Sequence, residues 1–234
     1  MRVPVCVCAL LLLPFLCCPA GRACAAGAGQ GGAGDEAAAR LLDMAAAHGA
    51  RIRSLSADFM QEKRMDMLAR PLASQGYFCL RRGAGTGEGA AAPDSLLWAY
   101  TKPLASGFIY RNGQGSLWEG SPENRRPAGA EERTLITAIL RHMLDWVRIN
   151  PAALHARYRI TRPAPDAPEL HLFPLRQAFF TRLEVLFTPD ASSVRRLIFV
   201  EPNGDTVRIT FSDTRVNQPL PGRCADYLRD ADGR

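Results

Sequence analysis

Lysine is almost missing from this chain: Lys63 and Lys102 are the only two among 234 residues, and arginine supplies the other cations behind a net charge of +6. Those arginines alternate with apolar residues over many short runs. A nucleic-acid surface concentrates its cations on one face with stacking aromatics between them. The pattern here is the wet side of a sheet, so no nucleic-acid partner is expected. Histidine is also scarce. His48, His142, His155 and His171 have no ligand spacing, which leaves a zinc site without support. No serine occupies a Gly-x-Ser-x-Gly elbow, and Glu131-Glu132 reads as a helix start rather than a catalytic pair. The glycines of Gly83 to Asp94 do not lead from a strand into a helix at phosphate-binding spacing, so that segment is read as a loop. No catalytic residue, metal or cofactor is expected, and the chain is not read as an enzyme.

Of seven cysteines, five (Cys6, Cys8, Cys17, Cys18 and Cys24) lie within residues 1–25. That segment has a minimal positive start at Met1-Arg2, then an apolar stretch from Val3 to Cys18 broken by Pro4 and Pro14. Small residues follow and offer cleavage at Cys18-Pro19-Ala20 or Ala23-Cys24-Ala25. The order is that of a secretory signal peptide, too short and too proline-broken for a good membrane span. Its removal takes Arg2 and Arg22 and no acid, leaving +4. A lipoprotein signal would need a small-residue box before Cys24. Arg22 spoils that box, so soluble export is expected rather than lipidation. Two cysteines then remain, Cys79 and Cys224. In an oxidising compartment they can pair. The other reading packs Cys79 as a small apolar side chain and leaves Cys224 in a loose tail.

Residues 26–34 are read as a flexible leader and residues 35–234 as a single domain. Asp35 to His48 predicts a helix with Leu41, Leu42 and Met44 along one side, ending at Gly49. From Ile52 the period changes to two. Leu55, Ala57 and Phe59 share one face of a strand, with Ser54, Ser56 and Asp58 on the other. Pro71 to Arg82, Leu96 to Tyr100, Gly107 to Tyr110 and Ser116 to Glu119 predict further strands, with turns at Lys102-Pro103 and Asn112-Gly113. Glu131 to Arg148 predicts an amphipathic helix with Leu135, Ile136, Ile139, Leu140, Met143, Leu144 and Val147 on its apolar side. After it, Leu154 to Thr161, Leu183 to Phe187 and Val207 to Phe211 alternate as half-buried strands. The fold class read from this order is mainly β with some α: one curled antiparallel sheet with helix laid on it.

Several elements in this order resemble the LolA-like carriers of outer-membrane lipoproteins. Phe59-x-Gln61 resembles their first-strand signature, and Gly76-Tyr77-Phe78-Cys79-Leu80-Arg81-Arg82 resembles a strand ending in a basic residue. Pro93-Asp94-Ser95-Leu96-Leu97-Trp98-Ala99-Tyr100 followed by Pro103 is similar to the Pro, apolar pair, Trp, Pro region. Asn112-Gly113 through Leu117-Trp118 continues the register, and Asn217-Gln218-Pro219-Leu220 resembles a late strand-end element. The resemblance spans most of residues 35–221 and is most specific from Phe59 to Trp118. It implies an unclosed antiparallel β half-barrel with helices covering its concave face.

The same resemblance implies a periplasmic protein, expected to be a monomer, that accepts acylated lipoprotein or acyl-lipid cargo from an inner-membrane exporter. It would deliver that cargo to an outer-membrane acceptor. Leu55, Phe59, Phe78, Trp98, Tyr100, Phe108 and Tyr110 are the expected cavity residues on the sheet, faced by Leu140, Met143 and Leu144 from the helix. The aromatic ones have a plainer reading as core filler. Arg82 matches the family's lid-holding arginine; its plainer reading is an exposed strand-end cation. Two departures stand out: the Gly83–Asp94 insertion follows Arg82 directly, and the chain ends soon after Pro221, where the family continues with a strand and helix. The alternative functions are a lipid-sensing regulatory module on the same fold and a lipid-anchored outer-membrane acceptor.

Overall fold

A computed structural model describes residues 33–83, 94–111, 114–134, 136–137 and 149–228. The signal segment and most of the leader lie outside the described residues. So does most of the segment predicted as a helix over Glu131–Arg148, including Leu140, Met143 and Leu144.

Among the described residues, eleven strands form one antiparallel sheet. They are β1 (Ser54–Arg64), β2 (Leu72–Arg81), β3 (Ser95–Lys102), β4 (Ser106–Arg111), β5 (Gln114–Glu119), β6 (Arg126–Pro127), β7 (Tyr158–Thr161), β8 (Glu169–Pro174), β9 (Arg182–Phe187), β10 (Val194–Val200) and β11 (Thr206–Val216). The spatial order is β6-β5-β4-β3-β2-β1-β11-β10-β9-β8-β7. The chain thus builds two meanders outward from a central β1–β11 pair. Among the described residues β6 and β7 are the two edges, and the sheet does not close. Helix α1 (Ala33–Gly49) lies against β7 and against the short α2 (Pro151–His155).

Period two sorts the side chains as the sequence predicts. On the concave side, Leu55, Ala57 and Phe59 of β1 join Phe78, Trp98, Phe108, Leu183, Val185 and Ile209 in one core, which the α1 residues Leu41, Leu42 and Ala45 also enter. Met44, expected on that stripe, is half exposed; Ala45, four residues beyond Leu41, takes the inner position instead. Between the strands, two glycines make room for aromatics. A Cβ on Gly76 would sit 2.6 Å from the Phe59 ring, and one on Gly107 would sit 2.5 Å from the Trp118 ring. Each glycine lets a neighbouring strand's aromatic lie flat on the backbone.

The convex side has its own smaller core of Cys79, Leu97, Ala99, Ile109, Trp118, Cys224 and Leu228. Helix α3 (Gly222–Leu228) covers it. A Cys79–Cys224 disulfide, with Cα atoms 6.1 Å apart, pins the helix there, and both cysteines are fully buried. The loose-tail reading of Cys224 is thereby corrected, and the chain does continue into a helix after Pro221. Arg223 at the start of α3 pairs with Asp58 and lies 4.3 Å over the Tyr77 ring, tying the helix to β1 and β2 as well.

One further expectation changes, and one strand not read from sequence is added. Leu154 and Ala156 do not begin a strand: Asn150 caps Ala153 with its side chain at 3.1 Å, Pro151 takes the first helical position, and α2 forms before β7 starts at Tyr158. An Asn-Pro pair is a helix-start signal that overrides the short alternation. Strand β10 breaks the period-two pattern in sequence, with Arg195-Arg196 followed by four apolar residues. A register shift between Val194 and Arg196 reconciles it with the sheet.

Candidate functional site

An apolar slot opens at the end of the concave face where β1 begins and β2, β9 and β11 end. Its wall is Ala45 and Gly49 of α1, Ile52, Leu55 and Ala57 leading into β1, Phe78, Phe187, Leu197, Phe211 and Ile149. The β9–β10 turn contributes Ala191, Ser192, Ser193 and Val194, and Thr214 adds a third hydroxyl. The volume is about 50 Å³. At roughly 10–15 Å³ per water-sized probe, that holds a few methylene groups and not a full fatty acyl chain. The described residues enclose a short starting slot beside a filled core.

The predicted cavity residues divide around this slot. Leu55 and Phe78 line it. Phe59, Trp98, Tyr100 and Phe108 are buried in the same concave core without lining the slot, and Tyr110 packs half-buried against them. Phe59 stacks on Trp98 with centroids 4.4 Å apart, and Phe78 also stacks with Trp98 at 5.7 Å. The Trp98 indole N–H is buried and has no acceptor among the described residues. Tyr100 donates its hydroxyl to Gln61 Oε1 at 3.0 Å, both nearly sealed from solvent. That bond explains the glutamine of Phe59-x-Gln61: it is a buried polar partner for a tyrosine two strands away. Leu97, grouped in sequence with Trp98 and Tyr100, faces the convex core instead, because adjacent strand residues point to opposite sides.

Arg82 lies at the slot end of β2. Its Nη1 donates to the main-chain carbonyls of Ile52 at 2.9 Å and Ala50 at 3.3 Å, and its own N–H donates to the carbonyl of Arg53 at 2.8 Å. These bonds clamp the α1–β1 turn. Of the Gly83–Asp94 insertion only the ends are described, where Asp94 Oδ1 accepts the N–H of Gly83 at 3.1 Å.

Sequence reasoning missed Ala45, Gly49, the β9–β10 turn and Thr214. Ala45 was recoverable from helical spacing after Leu41. The turn was not, because three small residues in a loop carry no periodic signal.

Residues 130–134 and 136–137 are helical, at the start of the segment predicted to cover the concave face. Ile136 is fully buried in the concave core. Glu132 accepts the N–H of Gly129 at 2.8 Å and pairs with Arg126 at 2.6 Å. The Arg126 hydrogen bond holds the Glu132 carboxyl down to about 2. Glu131-Glu132 is therefore a helix start, as read, with Glu132 in the capping position.

On the outer face of β8 and β9, Glu169, His171 and Glu184 bring ligand-type atoms within 4.8 Å of one another. His171 bonds Glu169 at 2.8 Å, while Arg182 and Arg196 face Glu184 and Glu169 at 2.7 and 3.8 Å. Contacts along β8 and β9 and one from β10 account for the group. Among the described residues no helix is long and apolar enough to cross a membrane.

Several solved structures are similar to the chain. The Mycobacterium tuberculosis lipoprotein LppX is 10% identical, with 80% of this chain and 98% of that one covered and a TM-score of 0.45. LprF from Mycobacterium bovis is 13% identical, covering 81% and 97%, with a TM-score of 0.42. The LolA superfamily protein NE2245 from Nitrosomonas europaea is 9% identical, covering 82% and 97%, with a TM-score of 0.37. No curated protein matches the chain in sequence. The family description "Outer membrane lipoprotein carrier protein LolA" matches residues 50–223, from the α1–β1 turn through the first residues of α3, and the chain belongs to that family.

Proposed function

We propose that this protein is a periplasmic carrier that shields acyl chains of lipoproteins or related lipids in transit from the inner to the outer membrane. The observation that carries the reading is the apolar slot between α1 and the sheet, placed on the concave face of a LolA-family half-barrel. Each methylene kept from water is worth about 0.8 kcal/mol, so an acyl chain leaving a membrane needs such a surface.

The acyl surface extends from the slot to Phe59, Trp98, Tyr100, Phe108 and Tyr110, and Leu140, Met143 and Leu144 complete it. The flexible thioether of Met143 adapts to chains of different shape. Arg82 is the gating residue at the slot's mouth, acting through its bonds to the α1–β1 turn. Residues 1–25 direct export, an inner-membrane exporter loads the monomer, and an outer-membrane acceptor unloads it. Binding rather than catalysis is its task.

The test is extraction. Inner-membrane vesicles carrying an acylated lipoprotein are incubated with the purified protein, and the soluble fraction is assayed for cargo by mass spectrometry. Cargo is expected in a one-to-one complex. Met143→Asp, which puts an unpaired charge against the acyl chain, is expected to abolish it in a protein that still folds. Failure to solubilise any lipoprotein or acyl lipid sinks the reading.

A further inference from the structure

We infer that the lip of the slot carries an anion site, and that the cargo is an acyl lipid with a phosphate or carboxylate headgroup held by Arg51 and Arg53. The inference rests on the carrier reading and adds to it the chemistry of the headgroup. In the turn between α1 and β1, Ile52 is buried and lines the slot, while its two neighbours Arg51 and Arg53 are exposed. One apolar residue enters the cavity, and a cation stands in solvent on either side of it.

The turn is held far more firmly than a chain reversal needs. Four successive carbonyls are engaged: Arg82 Nη1 donates to Ala50 and Ile52, Asn217 Nδ2 donates to Arg51 at 2.9 Å, and the Arg82 N–H donates to Arg53. Asn217 Oδ1 also accepts the N–H groups of Arg53 at 2.6 Å and Ser54 at 3.2 Å. Each carbonyl oxygen already meets a donor, so little partial negative charge is left to oppose an approaching anion. The guanidinium groups of Arg51 and Arg53 make no ion pair among the described residues. A rigid turn with two uncommitted guanidinium groups is a preorganised receptor for a planar or tetrahedral oxyanion.

Across the slot the charge reverses. Asp190, in the turn that supplies Ser192 and Ser193, accepts from the Ser192 hydroxyl at 2.9 Å and N–H at 3.2 Å. Hydrogen bonds from Thr188 and Ser192 hold its carboxyl at about 2, so it stays ionised. Its repulsion steers an anionic headgroup to the arginine side, which orients the cargo with its acyl chain running past Ile52.

The experiment compares single-chain probes that differ only in the headgroup: palmitoyl lysophosphatidylglycerol, palmitate and the zwitterionic palmitoyl lysophosphatidylcholine, each titrated below its micellar concentration into the purified protein. The two anionic probes are expected to bind about tenfold more tightly than the zwitterionic one, the effect of two exposed charge contacts. Arg51→Gln with Arg53→Gln is expected to remove that preference. Each single variant is expected to lose part of it, and a thermal melt checks that the variants fold. A preference for only one anion assigns the headgroup as phosphate or carboxylate. Equal affinity for all three probes, or a preference that survives in the double variant, overturns the anion site and leaves the carrier reading standing. No binding of any probe overturns both.

Discussion

The side-chain amide of Asn217 donates to the main-chain carbonyl of Arg51 at 2.9 Å, joining residues 166 positions apart in the chain. Asn217 has a positive φ of 54°, the left-handed conformation asparagine tolerates better than most residues. It stops β11 and turns its side chain onto the α1–β1 turn in one step. A motif that looks in sequence like a strand end is thus half of the slot's lip.

Asn217→Gly keeps the backbone conformation accessible and removes the side-chain bonds to Arg51, Arg53 and Ser54. The expected loss is about 1–3 kcal/mol, read as a melting point lower by several degrees. An unchanged melt would mean that the turn holds itself without Asn217.

The Cys79–Cys224 disulfide spans 145 residues of sequence. Chain-entropy reasoning puts its contribution at up to about 5 kcal/mol. Cys79→Ala with Cys224→Ala should lower the melting point and expose α3 to proteolysis ahead of the sheet. Thiol labelling of the unfolded, unreduced protein should find neither cysteine free; labelling of both would refute the bond.

Tyr100 was read from sequence as cavity wall, yet its hydroxyl is committed to buried Gln61. Tyr100→Phe is expected to cost about 1 kcal/mol of stability with acyl uptake intact. Lost uptake at an unchanged melting point would return Tyr100 to the binding surface.

Ala45 reaches the slot from the last turns of α1. Ala45→Leu suits a helix and occupies part of the free volume, so acyl binding should weaken several-fold. Overpacking costs about 1–3 kcal/mol where no space exists, which a melt run beside the binding assay would reveal. Full binding with a stable fold would show that cargo does not use this slot.

The Glu132 carboxyl titrates at about 2 instead of its ordinary 4.5. A depressed carboxyl stabilises the fold above its unfolded value, and that stabilisation is lost as pH falls through the folded value. The stability difference between the wild type and Glu132→Gln should therefore be constant above about pH 5 and shrink progressively toward pH 2. A difference independent of pH across that window would remove Glu132 from the helix cap.

Much of the wall of this protein was legible in the chain itself. Strands β1 to β5, the start of the covering helix and the inward set Leu55, Ala57, Phe59 and Phe78 follow from period-two and period-3.6 patterning, because burial on one face imposes its repeat on the residues that share it. Glu132 was legible as a helix start for a similar reason: the first turn of a helix favours acids within a few residues. Local rules reach only that far.

What joins distant positions required the tertiary structure. Whether Cys79 meets Cys224, which glutamine satisfies Tyr100, and how Asn217 and Arg82 converge on residues 50–54 depend on the order in which strands are laid side by side. A hydrogen bond across 166 residues leaves no period in the sequence. Composition and alternation determined that a curved, one-sided sheet forms. The pairing of β1 with both β2 and β11 decided where its ends meet, and therefore where the slot and its arginine lip stand.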